Sequence, residues 1–285
     1  MASSTRDIKR KIRSVNSTMQ ITKAFELVST AKLKRARDRM EITKPYFETI
    51  QAAVHDILSS DKSIKSKYIS SEHGVKPLFI VVTSDRGLCG GYNVNAIKKS
   101  LETAPSKTDA KFITVGKKAH DILRQLGYNI VDSFLYISEK PEYIHAAQVA
   151  KAAIDLFEKG EVDSIHFVYT RFASTISQVA TSLMLLPIER PAMKQDDGPI
   201  EVVNYEPSPE EVLKYIIPKY IESTLYGGMV ESSASEQAAR RIAMENASDN
   251  AEEIIEELTL SFNQARQAAI TQEISEIVGG AEALK

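Results

Sequence analysis

Ile8, Ile12, Val15 and Met19 follow one another at intervals of four, three and four residues. After Met19 the stripe slips and resumes as Ile21, Phe25 and Val28. A heptad pattern with a stutter predicts a long helix laid along a partner. Pro45 is the first residue at which a kink is expected, and the pattern in YFETIQAAVHDIL carries the helix on to about Leu58. The last segment of the chain opens with helix-start chemistry: Ser208 as N-cap, Pro209 at the first helical position and Glu210-Glu211 in the first turn. Ala251, Ile254, Leu258, Phe262, Ala265 and Ala269 then form one apolar stripe, with Ile270, Ile274 and Ile277 on the adjoining face. Pro218 and Gly227-Gly228 interrupt this pattern without ending it.

A helix from Ser4 to Leu58 would run roughly 80 Å and one from Pro209 to Leu284 roughly 110 Å, at ~1.5 Å per residue. Neither length fits inside a domain of this size, so both helices are expected to project and to pair as an antiparallel coiled coil. The tail is small-sided, with Ala234, Ala238, Ala239, Ala243, Ala247, Ala251, Ala265, Ala268 and Ala269. Such a composition suits a slender rod that passes through a narrow opening.

Between the helices, apolar runs alternate with helical patterns. Strands are expected at Leu78–Thr83, Lys111–Val115, Ile130–Tyr136, Ser164–Arg171 and Ile176–Leu186. Helices are expected at Asn93–Glu102, Lys117–Leu126 (with Gly127 just past its end) and Glu142–Glu158, the last burying Ile144, Ala147, Ala150, Ala153, Ile154 and Phe157. Three βα units predict a mostly parallel sheet, and the final two strands, too close for a crossover, add an antiparallel edge. The fold class is therefore α/β: a Rossmann-like domain with a mostly parallel five-stranded sheet, joined to a long antiparallel coiled coil. The expected segments are a first helix at 1–58, a polar linker at 59–76, the α/β domain at 77–205 and a final helix at 206–285. KQDDG at 194–198 reads as a surface loop.

Charge strengthens the pairing of the ends. The chain of 285 residues has a formal net charge of only −2. Residues 1–44 nevertheless hold twelve Lys/Arg against four Asp/Glu, and residues 206–285 hold six against fifteen. Oppositely charged ends favour each other, although each exposed ion pair contributes only ~0.2–1 kcal/mol and the apolar seam must dominate. The basic start faces an acidic partner of similar size and has few aromatics, which points away from nucleic acid. A single cysteine excludes an internal disulfide. The N-terminus carries neither a secretory h-region nor a transit-peptide pattern, and no apolar run is long enough to cross a membrane.

The stretch TSDRGLCGGYN, residues 83–93, invites a chemical reading because a Gly-rich loop between a strand and a helix can cradle phosphate. A P-loop needs Lys-Ser/Thr after its glycines, and a dinucleotide loop needs G-x-G-x-x-G; neither is present. Cys89 has no recognisable His partner nearby in sequence, so a buried thiol in a tight turn is favoured over a nucleophile. No Cys/His cluster has metal-ligand spacing. An α/β enzyme built around Cys89 and a plain coiled-coil scaffold stay open as alternatives.

Three motifs, IKRKIRSVNSTMQITKAFELVSTAKLKRA, TSDRGLCGGYN and LTLSFNQARQAAITQEISEIVGGAEAL, resemble the γ subunit of F-type ATP synthases, in the right order and spacing. Ile270, Thr271, Glu273, Glu276, Gly280 and Ala281 fit the family's C-terminal signature. The resemblance implies a central stalk, one copy per complex, whose coiled coil turns in the bore of a hexamer of α and β subunits. It implies further partners in the ε subunit and the c ring, with δ reached only through the complex. It implies no catalytic group, cofactor or metal of its own, and no nucleic-acid partner. It places the chain, as a bacterial type, peripherally on the cytoplasmic face of the cell membrane. The partner-contact positions it implies are Lys23, Arg86, Arg266, Gln267, Thr271 and Glu273, with Arg86 reaching toward an acidic lever loop of β. Phe25 and Leu27 stand where the family often has Met, and the additional cysteine pair of the chloroplast type is absent.

Overall fold

The computed structural model describes residues 5–60, 66–69, 76–104, 109–188 and 209–283. The expected N-cap at Ser208 and the loop at 194–198 lie outside these. Ten elements follow in order: α1 (Thr5–Ser60), β1 (Pro77–Val82), α2 (Tyr92–Thr103), β2 (Lys111–Val115), α3 (Lys117–Gln125), β3 (Asn129–Phe134), α4 (Tyr143–Glu158), β4 (Ser164–Phe172), β5 (Gln178–Leu186) and α5 (Pro209–Ala283). Pro45 and Pro218 lie inside α1 and α5 without ending them. The described structure forms two compact units, one of Thr30–Arg240 and one of Met1–Ser29 with Arg241–Lys285.

In the larger unit the sheet order is β3-β2-β1-β4-β5. The pairs β1–β2, β1–β4 and β2–β3 are parallel, and β4–β5 is antiparallel. β1 is buried at every position, as a central strand covered on both faces must be. One face carries α2 and α3 over Phe79, Val81, Phe112 and Val168. The other carries α4 together with stretches of α1 and α5, over Leu78, Ile80, Ile113 and Phe167. Leu213, Ile217, Ile221 and Leu225 of α5 are fully buried there. Their burial is worth on the order of 6–12 kcal/mol in sum, comparable to the whole stability of a domain. The first part of α5 is thus core of the α/β layer rather than an appendage.

α5 also completes the sheet. β1 stops pairing at Val81, opposite Val168, while β4 runs on to Phe172. The freed backbone groups on that side of β4 find partners in α5. The Thr170 N–H donates to Ser232 Oγ (3.0 Å), Ser235 Oγ donates to the Thr170 carbonyl (3.0 Å), and the Phe172 N–H donates to Glu231 (2.9 Å). Buried backbone groups need such partners, and small hydroxylated residues let the helix come close enough to supply them. Every residue of 232–238 is buried. Ala234 and Ala238 therefore pack against Leu33 instead of lining a free rod. Gly228 serves the same close approach, since a Cβ there would fall 2.3 Å from Phe167.

Several local expectations change. Ile144 is exposed, and α4 buries Ala146, Val149, Ala150 and Ala153; Ile144 lies about 160° round the helix from Ala146, given ~100° per residue. β3 ends at Phe134, leaving Tyr136 in the following loop. Within the segment read as a polar linker, Tyr68 is buried, stacks on Phe157 and hydrogen-bonds Glu158. Gly127 has the left-handed φ of 78° expected of a residue just past a helix end.

In the smaller unit the seam of α1 runs unbroken through Ile8, Ile12, Val15, Met19, Thr22, Glu26 and Ser29. The expected stutter is absent from the packing. Ile21, Phe25 and Val28, together with Leu27, point to solvent, and polar residues hold the seam. Thr22 and Ser248 share a buried hydroxyl–hydroxyl bond of 2.7 Å, so the polar groups are satisfied and need not exchange places with their apolar neighbours. On α5 the seam is Met244, Ser248, Ala251, Ile255, Leu258, Phe262 and Ala265, whereas Ile254 and Ala269 are exposed.

Candidate partner-contact loop and helix tail

The stretch 83–93 divides into three parts with different tasks. Thr83, Ser84 and Asp85 cap the start of α3. Asp85 accepts the Lys117 N–H (2.9 Å), the Ser84 carbonyl accepts the Lys118 N–H (3.1 Å), and Thr83 Oγ1 accepts the Ala119 N–H (2.8 Å). Three of the orphan donors at a helix start are thereby satisfied from a loop some thirty residues away in sequence. Asp85 also accepts the Tyr136 N–H (2.8 Å), the Ser138 N–H (3.3 Å) and the Ser138 hydroxyl (2.7 Å), which binds the loop after β3 to the loop after β1. With its oxygens so engaged, Asp85 is not the ion-pair partner of Arg86.

Cys89, Tyr92 and Asn93 anchor the far side. Asn93 accepts the Ser84 N–H (2.9 Å) and donates to Ser84 Oγ (2.8 Å) and to the Cys89 sulfur (3.1 Å). Cys89 is buried, and burial pushes its thiol above the ordinary value despite hydrogen bonds and the Arg240 charge. The enclosed thiol packs against Ser84 and Asn93 within the turn.

Between these anchors Arg86 and Leu88 stand exposed. Arg240, from α5, holds their backbone from behind. It donates to the Gly87 carbonyl (3.3 and 3.4 Å) and the Arg86 carbonyl (3.5 Å), and it pairs with Glu236 at 2.7 Å. In open parallel sheets this place, at the carboxyl ends of the strands where the chain order reverses, is the usual ligand crevice. Here α5 itself fills it, so the loop is braced by protein where a phosphate cradle would face a ligand.

Glu236 is buried, and desolvation raises its carboxyl above the ordinary range against the pull of Arg240; burial likewise raises Glu231 against its bond from Phe172. Both bind a proton more tightly folded than unfolded. Their contribution to stability is full below the ordinary carboxylate value of 4.5 and declines as pH rises through their folded values. Glu158 is lowered by its bonds from Tyr68 and Lys67, and Glu161 by Lys111, so those two act in the opposite sense and only below 4.5. Denaturant titrations of the chain should therefore show higher stability near pH 5 than near pH 8. Glu236→Gln with Glu231→Gln should flatten that difference; an equal slope in the double variant would rule out these groups as its source.

Of the contact positions singled out from the sequence, Arg86 lies in the larger unit; Lys23, Arg266, Gln267, Thr271 and Glu273 lie in the smaller one. All six are exposed, and none of their side chains has a hydrogen-bond or ion-pair partner among the described residues. Helical spacing puts Arg266 and Glu273 on one face and Gln267 and Thr271 on the next. Beyond Ala265 every residue to Ala281 is exposed, including Ile270, Ile274, Ile277 and Val278. Sequence reading missed Arg240: its pair with Glu236 is an ordinary i,i+4 helix pattern, and the Arg86 and Gly87 carbonyls it holds lie about 150 residues away. No His/Cys/Asp/Glu group among the described residues could hold a metal ion, and no described helix is long and apolar enough to cross a membrane.

A five-stranded α/β layer with a braced loop, and a paired-helix unit with an uncovered apolar tail, define the class: an α/β domain carried by a chain with two long terminal helices. Comparison with known proteins makes this specific. The ATP synthase family matches residues 4–284. The ATP synthase gamma chain of Alkaliphilus metalliredigens is 49% identical over 284 residues, 98% of each chain. The sodium ion specific ATP synthase gamma chain of Acetobacterium woodii is 44% identical over 301 aligned positions, 100% of each chain. Among solved structures, the central stalk/c-ring of the Tetrahymena thermophila mitochondrial ATP synthase superposes with TM-score 0.63 at 26% identity, covering 80% of this chain and 99% of that one. A chain of the Euglena gracilis mitochondrial ATP synthase shares the fold with TM-score 0.72 at 20% identity, over 98% and 94% of the two chains. The chain belongs to the ATP synthase gamma-chain family.

Proposed function

We propose that the chain is the central-stalk rotor of an F-type ATP synthase, and that it carries no catalytic group of its own. The observation that supports this best is the tail of α5. Ile270, Ile274, Ile277 and Val278 form one apolar stripe along a single helix, with no covering element among the described residues. An uncovered stripe of that kind marks a surface that a protein sleeve receives. The α and β subunits supply the sleeve as a hexamer bore. The ε subunit and the c ring are the further partners, and δ is reached only through the complex. One copy serves each complex, held peripherally at the cytoplasmic face of a bacterial membrane.

In this reading ion flow turns the ring and the stalk with it. Each orientation of an asymmetric shaft favours one conformation of the catalytic subunit facing it. Moving such a two-state site from 1:99 to 99:1 needs about 5.5 kcal/mol of differential contact, so a few good contacts per orientation suffice. Arg86, Lys23, Arg266, Gln267, Thr271 and Glu273 are positioned to make them, because their side chains are uncommitted within the described structure. Charge-assisted bonds from Arg to carboxylates are strong yet can be broken and remade each turn.

Reassembly of the purified chain with the α and β subunits of the same organism tests the reading. A stoichiometric complex with one copy of the chain and rotation-coupled ATPase activity is expected. Failure to recover it would sink the proposal. Arg266→Ala with Gln267→Ala should leave the melting temperature of the isolated chain unchanged and reduce ATP synthesis roughly three- to tenfold; unchanged synthesis would remove these two residues from the mechanism.

A further inference from the structure

β5 is the last strand of its sheet, with β4 on one side only. Beyond the ladder with β4, its backbone receives one hydrogen bond among the described residues, donated by the Thr181 hydroxyl to the Val179 carbonyl of the same strand (3.2 Å). The next backbone partner comes past its end, where the Ile188 N–H donates to the Tyr68 carbonyl (2.7 Å). A free row of backbone donors and acceptors is a template for a further strand.

The two edges of this sheet differ. β3, at the other edge, has six residues, carries Asp132 and pairs with β2 through a register shift. Charge and irregularity of this kind blunt an edge. β5 has nine residues, Gln178–Leu186, without a charged residue, a proline or a glycine. Its pairing with β4 is regular from Gln178 to Met184, and the one shift lies beyond. At ~3.4 Å per residue that stretch offers about 24 Å of regular antiparallel backbone. Apolar side chains face solvent where it begins: Val179 is 41% exposed, and Ile176, in the turn before it, 84%. The turn is fixed by the Ser174 hydroxyl, which accepts the N–H groups of Ile176 (3.3 Å) and Ser177 (3.0 Å).

We infer that the β5 edge binds a second copy of this chain, strand against strand about a two-fold axis. Two copies of one strand related in this way run antiparallel, and each outward donor then meets an acceptor. Charges along an edge select a partner and repel the strand's own copy; β5 has none. A two-fold at Thr181, the middle of the regular stretch, sets Thr181 against its own copy and Val179 against Leu183, both favourable kinds of cross-strand pair. The inference goes beyond the rotor reading and does not depend on it. It concerns the chain outside a complex, and the pair must separate before one copy is used.

Sedimentation of the purified full chain over a range of concentrations tests this, with amide exchange read at the same concentrations. A monomer–dimer equilibrium is expected, in which the β5 amides gain protection as concentration rises and the β3 amides do not. Thr181→Lys should raise the dissociation constant roughly tenfold, because the two-fold brings the like charges face to face. Added salt should recover part of that loss, and the melting temperature of the dilute chain should stay level. Ile274→Lys, on the α5 tail, leaves β5 untouched and should not weaken the pair. A chain that is monomeric at every concentration would overturn the inference. So would a pair that survives Thr181→Lys unchanged, or one that only Ile274→Lys dissolves. Should Thr181→Lys fail to fold, the concentration-dependent protection of β5 in the unaltered chain decides by itself.

Discussion

Gly116→Ala is expected to cost the α/β domain about 3–5 kcal/mol of stability. Gly116 has φ 97°, outside the range that L-residues adopt without strain, and a Cβ there would lie 2.1 Å from the Thr83 carbonyl oxygen and 2.8 Å from its carbon. The obstacle is backbone, so no side-chain rotation can relieve it. Moving Thr83 would stretch its own N–H bond to the Val115 carbonyl (2.8 Å) and the bond its hydroxyl accepts from Ala119 (2.8 Å). Backbone strain of about 1–3 kcal/mol and the loss of two buried hydrogen bonds at about 1 kcal/mol each approach the 5–15 kcal/mol that a domain has in total. Gly127→Ala is the control. Its φ is 78°, but a Cβ would meet nothing within 4 Å, and only about 1 kcal/mol should be lost. Denaturant midpoints separate the two; similar losses would show that the close approach to Thr83 is unimportant.

Arg240→Ala should be the most damaging change that leaves the sheet core untouched. It strips the partner from Glu236, whose side chain is 3% exposed, and removes the donors that hold the Arg86 and Gly87 carbonyls. Breaking a buried pair this way destabilises by up to about 3–5 kcal/mol. Glu236 can escape part of that by taking up a proton, which its raised pKa already favours. The loss should accordingly be smaller near pH 5 and larger near pH 8. Amide exchange at Gly87–Cys89 should accelerate much more than exchange in β1 or β4. Arg240→Lys, which keeps the charge but not the forked donors, should restore stability better than it restores loop protection. Uniform acceleration across the domain would show Arg240 to be a general stabiliser and not the brace of this loop.

The strands and the edge polarity of the sheet were legible because Val- and Ile-rich runs fall at strand spacing, and because two adjacent strands lacked room for a crossover. The two terminal helices were legible from a long apolar periodicity that Pro45, Pro218 and Gly227-Gly228 interrupt without ending. The seam was not. Ile21, Phe25 and Val28 look like the continuation of an apolar stripe, yet Thr22, Glu26 and Ser29 hold the inward positions, one residue further on. A periodicity argument counts apolar residues and is blind to a hydroxyl pair such as Thr22–Ser248 that satisfies itself across the seam. The loop at 83–93 has no phosphate motif in its sequence, and its structural work depends on Lys117, Tyr136, Ser138 and Arg240, which only the folded chain brings to it. Arg86 could be singled out by resemblance; the outward set of Leu88 and Tyr136 is a matter of backbone angle that no residue pattern announces.

The completion of β4 by α5 has a consequence for how the protein comes into being. Ser232, Ser235 and Glu231 serve the Thr170 and Phe172 backbone, and Leu213, Ile217, Ile221 and Leu225 fill the core beneath the sheet. All seven are synthesised after every strand. During translation the five strands leave the ribosome with one face only partly covered, by α1 and α4, and with part of β4 unsatisfied, and they stay so until the last quarter of the chain emerges. A nascent chain stalled before Leu213 should behave as a protease-sensitive, chaperone-dependent species, and a fragment ending with β5 should not fold by itself.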